Sequence, residues 1–218
     1  MINFHNVDCM DFMRGLPDKH YSLCIVDPPY GIGVDIVHHV GGRGDTKGGK
    51  GWDTGTPTIE YFQELRRVSI DQIIWGANYF NCFSNAHGAI IWDKNQPLPD
   101  SSQCEIASYS RLKKVGLFRH TWTNYVNTRA TGHPTEKPVA LYRWLLQNYA
   151  KPGWKILDTH GGSMSIAIAC DIEGFDLDIC ELDPDYFAAG KKRFENHLLQ
   201  PRMFDAEPTP QPKQLTIE

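Results

Sequence analysis

The sequence predicts one α/β domain organised around a largely parallel sheet. Short strand-like runs at 21–26, 72–75, 89–92, 154–157 and 175–180 alternate with amphipathic stretches at 58–69, 137–149, 164–172 and 184–197. That alternation is the pattern of a sheet covered by helices. The first run ends abruptly at Asp27-Pro28-Pro29, and prolines cannot continue a central strand. A glycine-bearing turn at 158–163 joins a strand to a helix, the place where such folds hold nucleotide-like ligands. The 218 residues suit a single domain at 1–199 followed by a disordered, proline-bearing tail at 200–218.

Tyr21 to Val26 reads as a buried strand. Residues 31–57 hold nine glycines together with Arg43, Lys47 and Lys50, and predict a long mobile loop. Thr58 to Ser69 predicts a helix with Ile59, Phe62, Leu65 and Val68 on one face. Gln72 to Trp75 and Ala89 to Trp92 read as strands. Residues 95–132 are polar, broken by Pro97 and Pro99, and predict an irregular insertion with one strand within Gly116 to Trp122. Lys137 to Tyr149 predicts a helix with Pro138 near its start. Then come a strand at Trp154–Leu157, the turn, a helix from Met164, a strand ending at Cys180-Glu181, and a helix from Pro184.

Composition narrows the functional classes. Apolar residues make up 41% and charged residues 22%, as in ordinary globular enzymes. No apolar run reaches membrane-spanning length, and the N-terminus lacks the pattern of an export signal. A cytosolic chain is expected. The cysteines at 9, 24, 82, 104, 170 and 180 include no C-x-x-C pair, so they are expected to be reduced, buried and free of metal. The net charge is −4; nucleic-acid binding would need a local basic surface.

Two segments carry chemistry. At 158–163, Gly161 and Gly162 let backbone approach a ligand, and Glu181, with Asp183 beyond it, stands where an acid takes ribose hydroxyls. There is no full G-x-G-x-x-G and no phosphate-binding lysine, which favours an uncharged-tail nucleoside such as S-adenosylmethionine over a diphosphate. A plain packed turn with a solvent-facing Glu181 fits these residues equally well. Asp27-Pro28-Pro29-Tyr30 is sharper. An exocyclic base amine is a poor nucleophile because its lone pair is delocalised. The Asp27 carboxylate and the Pro28 carbonyl can accept its two hydrogens and stabilise developing positive charge. Tyr30 offers a ring for an extruded base.

Together these segments resemble the amino-group DNA methyltransferases that use S-adenosylmethionine. The resemblance runs to about residue 197. It rests on Asp27-Pro28-Pro29-Tyr30, His133-Pro134-Thr135-Glu136-Lys137-Pro138 and Ile156-Leu157-Asp158-Thr159-His160-Gly161-Gly162-Ser163. The order, catalytic half first, is similar to the circularly permuted beta class. Trp75-Gly76-Ala77-Asn78-Tyr79-Phe80 and Ile91-Trp92-Asp93-Lys94 resemble small phage and prophage members.

The resemblance implies a Rossmann-like, seven-stranded mixed sheet with one antiparallel strand. It implies that Asp158, Gly161, Gly162 and Ser163 surround the methionine part of the cofactor, helped by Thr135 and Lys137, with His160 in place of the aromatic platform under the cofactor. Glu181 would bind ribose, and Asp8 with the Cys9 backbone would meet the cofactor's adenine. Where the family carries Pro-Phe and then Gly-Thr, this chain has Thr159-His160 and Met164-Ser165.

Asp at the first catalytic position favours adenine N6, with cytosine N4 as the alternative and a catalytically silent nucleic-acid-binding subunit as a third reading. Arg43, Lys47 and Lys50 are candidates for DNA phosphate contacts, with Arg111, Lys113, Lys114 and Arg119 as a second basic stretch. A homodimer is left open. Gln214-Leu215-Thr216-Ile217-Glu218 faintly resembles a peptide that docks on the bacterial sliding clamp.

Overall fold

A computed structural model describes residues 1–33, 51–85, 87–95, 102–111, 113–121 and 135–200. Among these residues eight strands form one sheet in the order β1-β8-β7-β2-β3-β5-β4-β6. They are β1 (Ile2–His5), β2 (Tyr21–Val26), β3 (Ser69–Trp75), β4 (Gly88–Asp93), β5 (Cys104–Tyr109), β6 (Val115–Arg119), β7 (Lys155–Asp158) and β8 (Asp176–Cys180). Among the described residues six α-helices accompany them: α1 (Cys9–Arg14), α2 (Ile59–Val68), α3 (Ala77–Phe80), α4 (Val139–Tyr149), α5 (Ser165–Glu173) and α6 (Pro184–Leu198). Among the described strands only β5 runs against its neighbours, β3 and β4; the other pairings are parallel.

Period-two alternation separates two apolar layers. Leu23, Ile25, Ile73 and Trp75 face Leu141 and Leu145 of α4, Ile166 of α5 and Phe194 of α6. Cys24, Val26 and Ile74 face Met13 of α1 and Tyr61, Leu65 and Val68 of α2. The chain therefore leaves β2 towards one face and β7 towards the other, although the two strands pair side by side. Such a switch point opens a crevice at the strands' carboxyl ends. No helix among the described residues is long and apolar enough to cross a membrane.

The sheet has eight strands rather than the seven expected. β1 was not anticipated: Asn3 and His5 interrupt its short apolar pattern. The segment 95–132, expected to be irregular apart from one strand, contains β5 as well as β6. Its polar residues hid β5, because Glu105 turns into a polar site rather than a core. Pro138 caps α4 instead of lying inside it, since its φ suits the capping position as well as the first turn. Met164 precedes α5 in a left-handed conformation. Cys104 is exposed and Cys9 and Cys82 are half-buried, against the expectation of burial, because each opens its element at the edge of the core; all six cysteines are free. Residues 34–50, with Arg43, Lys47 and Lys50, lie outside the described residues. So do 201–218, with Gln214 to Glu218.

One carboxylate fastens four neighbouring strands. Asp178 on β8 accepts from Asn3 on β1 (2.8 Å), Tyr21 on β2 (2.7 Å) and Lys155 on β7 (2.7 Å). Burial raises its pKa, but these bonds outweigh burial and bring it to about 2 from 3.8. A depressed carboxylate stabilises above its unfolded pKa and loses that contribution as pH falls through the folded value. Asp178→Asn is therefore expected to cost about 2–3 kcal/mol at pH 7, the lower side of a broken buried pair because Lys155 is partly exposed. In urea unfolding, the difference from the unaltered chain should shrink between pH 4 and pH 2.

Candidate active site

β2 delivers Asp27 to the carboxyl edge of the sheet, and a ring of charge gathers on it. Tyr30 Oη donates to Asp27 Oδ1 at 2.6 Å. Lys137 Nζ, just before α4, donates to Asp27 Oδ2 at 2.5 Å and to Tyr30 Oη at 3.2 Å. Lys137 also pairs with Glu105 Oε2 at 3.0 Å, and Lys94 with Glu105 Oε1 at 2.8 Å. Burial pushes Asp27 above the usual carboxylate range, against the pull of Lys137 and with the help of Glu105. For Glu105 burial acts the same way, but Lys137 and Lys94 overcome it and bring it to about 2. Burial would lower Lys137; Asp27 and Glu105 raise it instead.

The Tyr30 ring has a prepared seat. It stacks on Tyr79 at 4.9 Å and 17° and meets Phe80 edge-on at 5.9 Å. Gly76 has φ +71, and a Cβ there would collide with the Tyr30 ring. Only glycine satisfies both demands. Beyond Tyr30, the Gly31 N–H donates to Oδ1 of buried Asp53 at 2.8 Å, and the Gly33 N–H to its carbonyl at 3.0 Å.

β7 and β8 deliver the second half beside it. Asp158 is buried, accepts from the His160 N–H at 3.0 Å, and is pushed by burial to about 8. Glu181 holds the glycine turn: Oε2 accepts from the Gly162 N–H at 2.7 Å and Oε1 from the Asp183 N–H at 2.9 Å. His160 is lowered by burial to about 4. Its Nδ1 and Tyr61 Oη both bond Thr159 Oγ1, at 2.8 and 2.7 Å. Asp8 and Asp183 stand at the rim, where each caps a helix through its side chain. The Cys9 thiol, desolvated beside Asp8, rises to about 12.

Lys137 and Asp158 thus lie with Asp27 at one crevice. Thr135 opens the same turn as Lys137. Sequence reasoning missed Glu105, Lys94 and Asp53, which act through partners distant in the chain. It also missed Arg193 on α6, which pairs with buried Glu136 at 2.9 Å and donates to the Ser163 carbonyl at 2.8 Å. That arginine ties the 135–138 turn to the glycine turn. Of the second basic stretch, Arg111 pairs with Asp71 and Arg119 with Asp93.

The family model for DNA methylases of the N6/N4 type matches residues 61–192, more than half of the chain. The chain belongs to this DNA methylase family.

Solved structures of DNA methylases share the fold. The M1.HpyAVI–SAM complex superposes with a TM-score of 0.64 at 19% identity, covering 89% of this chain and 99% of that one. The cytosine-N4-specific PvuII DNA methyltransferase gives 0.60 at 14% identity, covering 88% and 86%. A putative DNA modification methylase from Thermus thermophilus, complexed with S-adenosyl-L-methionine, gives 0.56 at 17%, covering 91% and 97%.

Within this methylase, Met164 stands where the resemblance implies a glycine, at a cost that its surroundings offset. It holds φ +58 and is fully buried. A Cβ on Gly190 of α6 would overlap its side chain, and one on Gly161 would come within 2.8 Å of its sulfur. Two glycines therefore make the space that one methionine fills. Left-handed strain is worth about 1–2 kcal/mol, whereas emptying a buried methionine site costs about 2–5 kcal/mol. Met164→Gly is expected to lower stability by about 1–3 kcal/mol in denaturant titration. A gain in stability would show that backbone strain dominates.

Proposed function

We propose that this methylase transfers a methyl group from S-adenosylmethionine to the N6 amine of adenine in a short DNA site, as a permuted, beta-class enzyme. One observation carries the reading: β2 and β7 pair in parallel, Leu23 opposite Ile156 and Cys24 opposite Leu157. Asp27-Pro28-Pro29-Tyr30 and the Asp158 turn therefore leave the sheet side by side, although they are far apart in the chain.

The donor set fits the cofactor. Asp8, Asp158, Glu181 and Asp183 crowd the ends of β1, β7 and β8, and Arg193 is committed to Glu136 and Ser163. Acids with no spare arginine beside them among the described residues suit a cationic nucleoside better than a diphosphate. Glu181 would take the ribose hydroxyls, Asp158 with Gly161, Gly162 and Ser163 the amino-acid part, and Asp8 with Cys9 the adenine end. When bound, the cofactor supplies an electrophilic methyl carbon on a sulfonium.

The chain's own residues do the rest. Ionised Asp27 accepts one hydrogen of the target amine and the Pro28 carbonyl the other, so the lone pair turns towards the methyl group. Tyr30 releases Asp27 and offers its ring to the extruded base. Lys137 holds the far carboxylate oxygen in place while positive charge grows on the amine. Arg43, Lys47 and Lys50 are proposed to meet DNA phosphates.

Expression in a methylation-deficient bacterial host, with mass spectrometry of DNA nucleosides and modification-sensitive sequencing, tests the reading. N6-methyladenine at one short site is expected. N4-methylcytosine would redirect the specificity, and unmodified DNA with intact cofactor binding would favour the silent subunit.

Asp27→Ala is expected to reduce tritium transfer by at least about a thousandfold. Cofactor affinity, read by calorimetry, should stay within about threefold. Equal loss of both would contradict the division of labour.

Asp158 adds a pH linkage. Its carboxyl is largely protonated at pH 7 in the free protein and must ionise to face a cation, so binding should release a proton. Calorimetry at pH 7 in buffers of different ionisation enthalpy should show release of about one proton, absent in Asp158→Asn. A buffer-independent heat would mean that Asp158 is already ionised.

A further inference from the structure

Four alternating charges run in an unbroken line through the buried side of the crevice: Asp27, Lys137, Glu105 and Lys94. They come from the end of β2, the turn before α4, β5, and the end of β4. We propose that Glu105 and Lys94 are positioning residues which, by competing for Lys137, set how tightly that ammonium holds Asp27 and so set both the aim and the proton affinity of the catalytic carboxylate. The inference rests on the reading that Asp27 receives the target amine.

The geometry leaves Lys137 little freedom. Its three N–H bonds match three acceptors: Asp27 Oδ2, Tyr30 Oη and Glu105 Oε2. Its ammonium also lies over the rings of Trp75 and Tyr30, at 5.5 and 5.6 Å. It cannot move closer to Asp27 without loosening Glu105. Glu105 is held in turn: one oxygen takes Lys137 and the other takes Lys94, whose ammonium sits 5.4 Å from the centre of the Trp92 ring. Trp92 is the residue directly across from Glu105 in the β4–β5 ladder. The antiparallel strand therefore aims a carboxylate into the site and the adjoining strand supplies its counter-charge.

Such an array is a poor device for stability. Buried ion pairs recover little more than the hydration they lose, so a charge chain of this length points to a task beyond packing. The remaining groups beside Asp27 are Tyr30, which donates to it, and Asp158 from β7, whose carboxyl the Asp27 charge helps to keep protonated. Tyr142 of α4 acts on Tyr30 rather than on Asp27. Glu105 raises Asp27 and Lys137 lowers it, and Lys94 competes with Lys137 for Glu105, so removing Glu105 and removing Lys94 should act in opposite senses.

The test uses the full chain with Glu105→Gln, Lys94→Gln and Lys94→Arg. Asp27 is followed by carbon-13 carboxylate labelling of aspartate, with its resonance assigned by its loss in Asp27→Asn. Glu105→Gln gives Lys137 wholly to Asp27, and the carboxyl midpoint should fall by about one pH unit. Lys94→Gln leaves Glu105 a stronger rival, and the midpoint should rise. Lys94→Arg keeps the charge and should restore the unaltered value.

Single-turnover methyl transfer should show the acid limb of the pH–rate profile moving in the same opposed directions. Glu105→Gln should lose about ten- to a hundredfold in rate with little change in cofactor affinity. Midpoints that coincide with the unaltered chain in both variants, or that shift together, overturn the inference. If Glu105→Gln does not fold, Lys94→Gln against Lys94→Arg decides it. An unaltered chain that transfers no methyl to DNA removes the methylation reading, while the carboxyl titration still decides whether Glu105 and Lys94 tune Asp27.

Discussion

Every functional feature of this methylase depends on the pairing of β2 with β7. Parallel strands present their carboxyl ends to one edge, and these two then send the chain to opposite faces of the sheet: α2 and its layer on one side, α5 and its layer on the other. A crevice must open where connections part in this way. Two motifs far apart in number are thereby made neighbours without either needing a specific contact with the other. The Asp178 carboxylate secures the same region by cross-linking β1, β8, β7 and β2 through one buried acceptor. Strand pairing sets the position, and a polar cross-link keeps the register.

Charge is then buried where the two halves meet. Asp27, Lys137, Glu105 and Asp158 are all removed from water to some degree, and that is costly. The apolar layers on both faces offset this, with Leu23, Ile25, Ile73 and Leu157 fully enclosed. Stability therefore resides in the two layers and reactivity at their rim. The interactions at the rim are tuned against one another: Asp27 is lifted by burial, while Glu105 is held down by two ammonium groups.

Much of this was legible in the sequence because it is local. The buried strands β2, β3, β7 and β8 announce themselves by apolar runs, and the prolines after Val26 mark a sharp strand end. Gly161, Gly162 and Glu181 follow a spacing that a strand–turn–helix–strand unit imposes. β5 was hidden because a strand with Glu105 aimed at a polar site does not alternate as a half-buried strand should. The partners of Lys137 were hidden for a different reason. Asp27 and Lys137 lie 110 positions apart, and no local pattern reports which buried lysine meets which acid. Asp8 and Asp183, read from the sequence as cofactor contacts, also cap α1 and α6 through their side chains.

The departures of the glycine motif make physical sense together. An imidazole where an aromatic ring is usual would be a poor neighbour for a cationic nucleoside if it carried a proton. Burial holds His160 at about 4, and Thr159 with Tyr61 fixes the ring by a short relay of hydrogen bonds. At neutral pH it is an uncharged plate. Methionine in place of the next glycine is strained in its backbone, yet Gly190 on α6 and Gly161 in the turn leave room for its side chain. The added side chain packs α6 against the turn that Glu181 and Arg193 also hold. A motif that looks degraded residue by residue is therefore a repacked one, with backbone strain at Met164 offset by contacts that a glycine could not make.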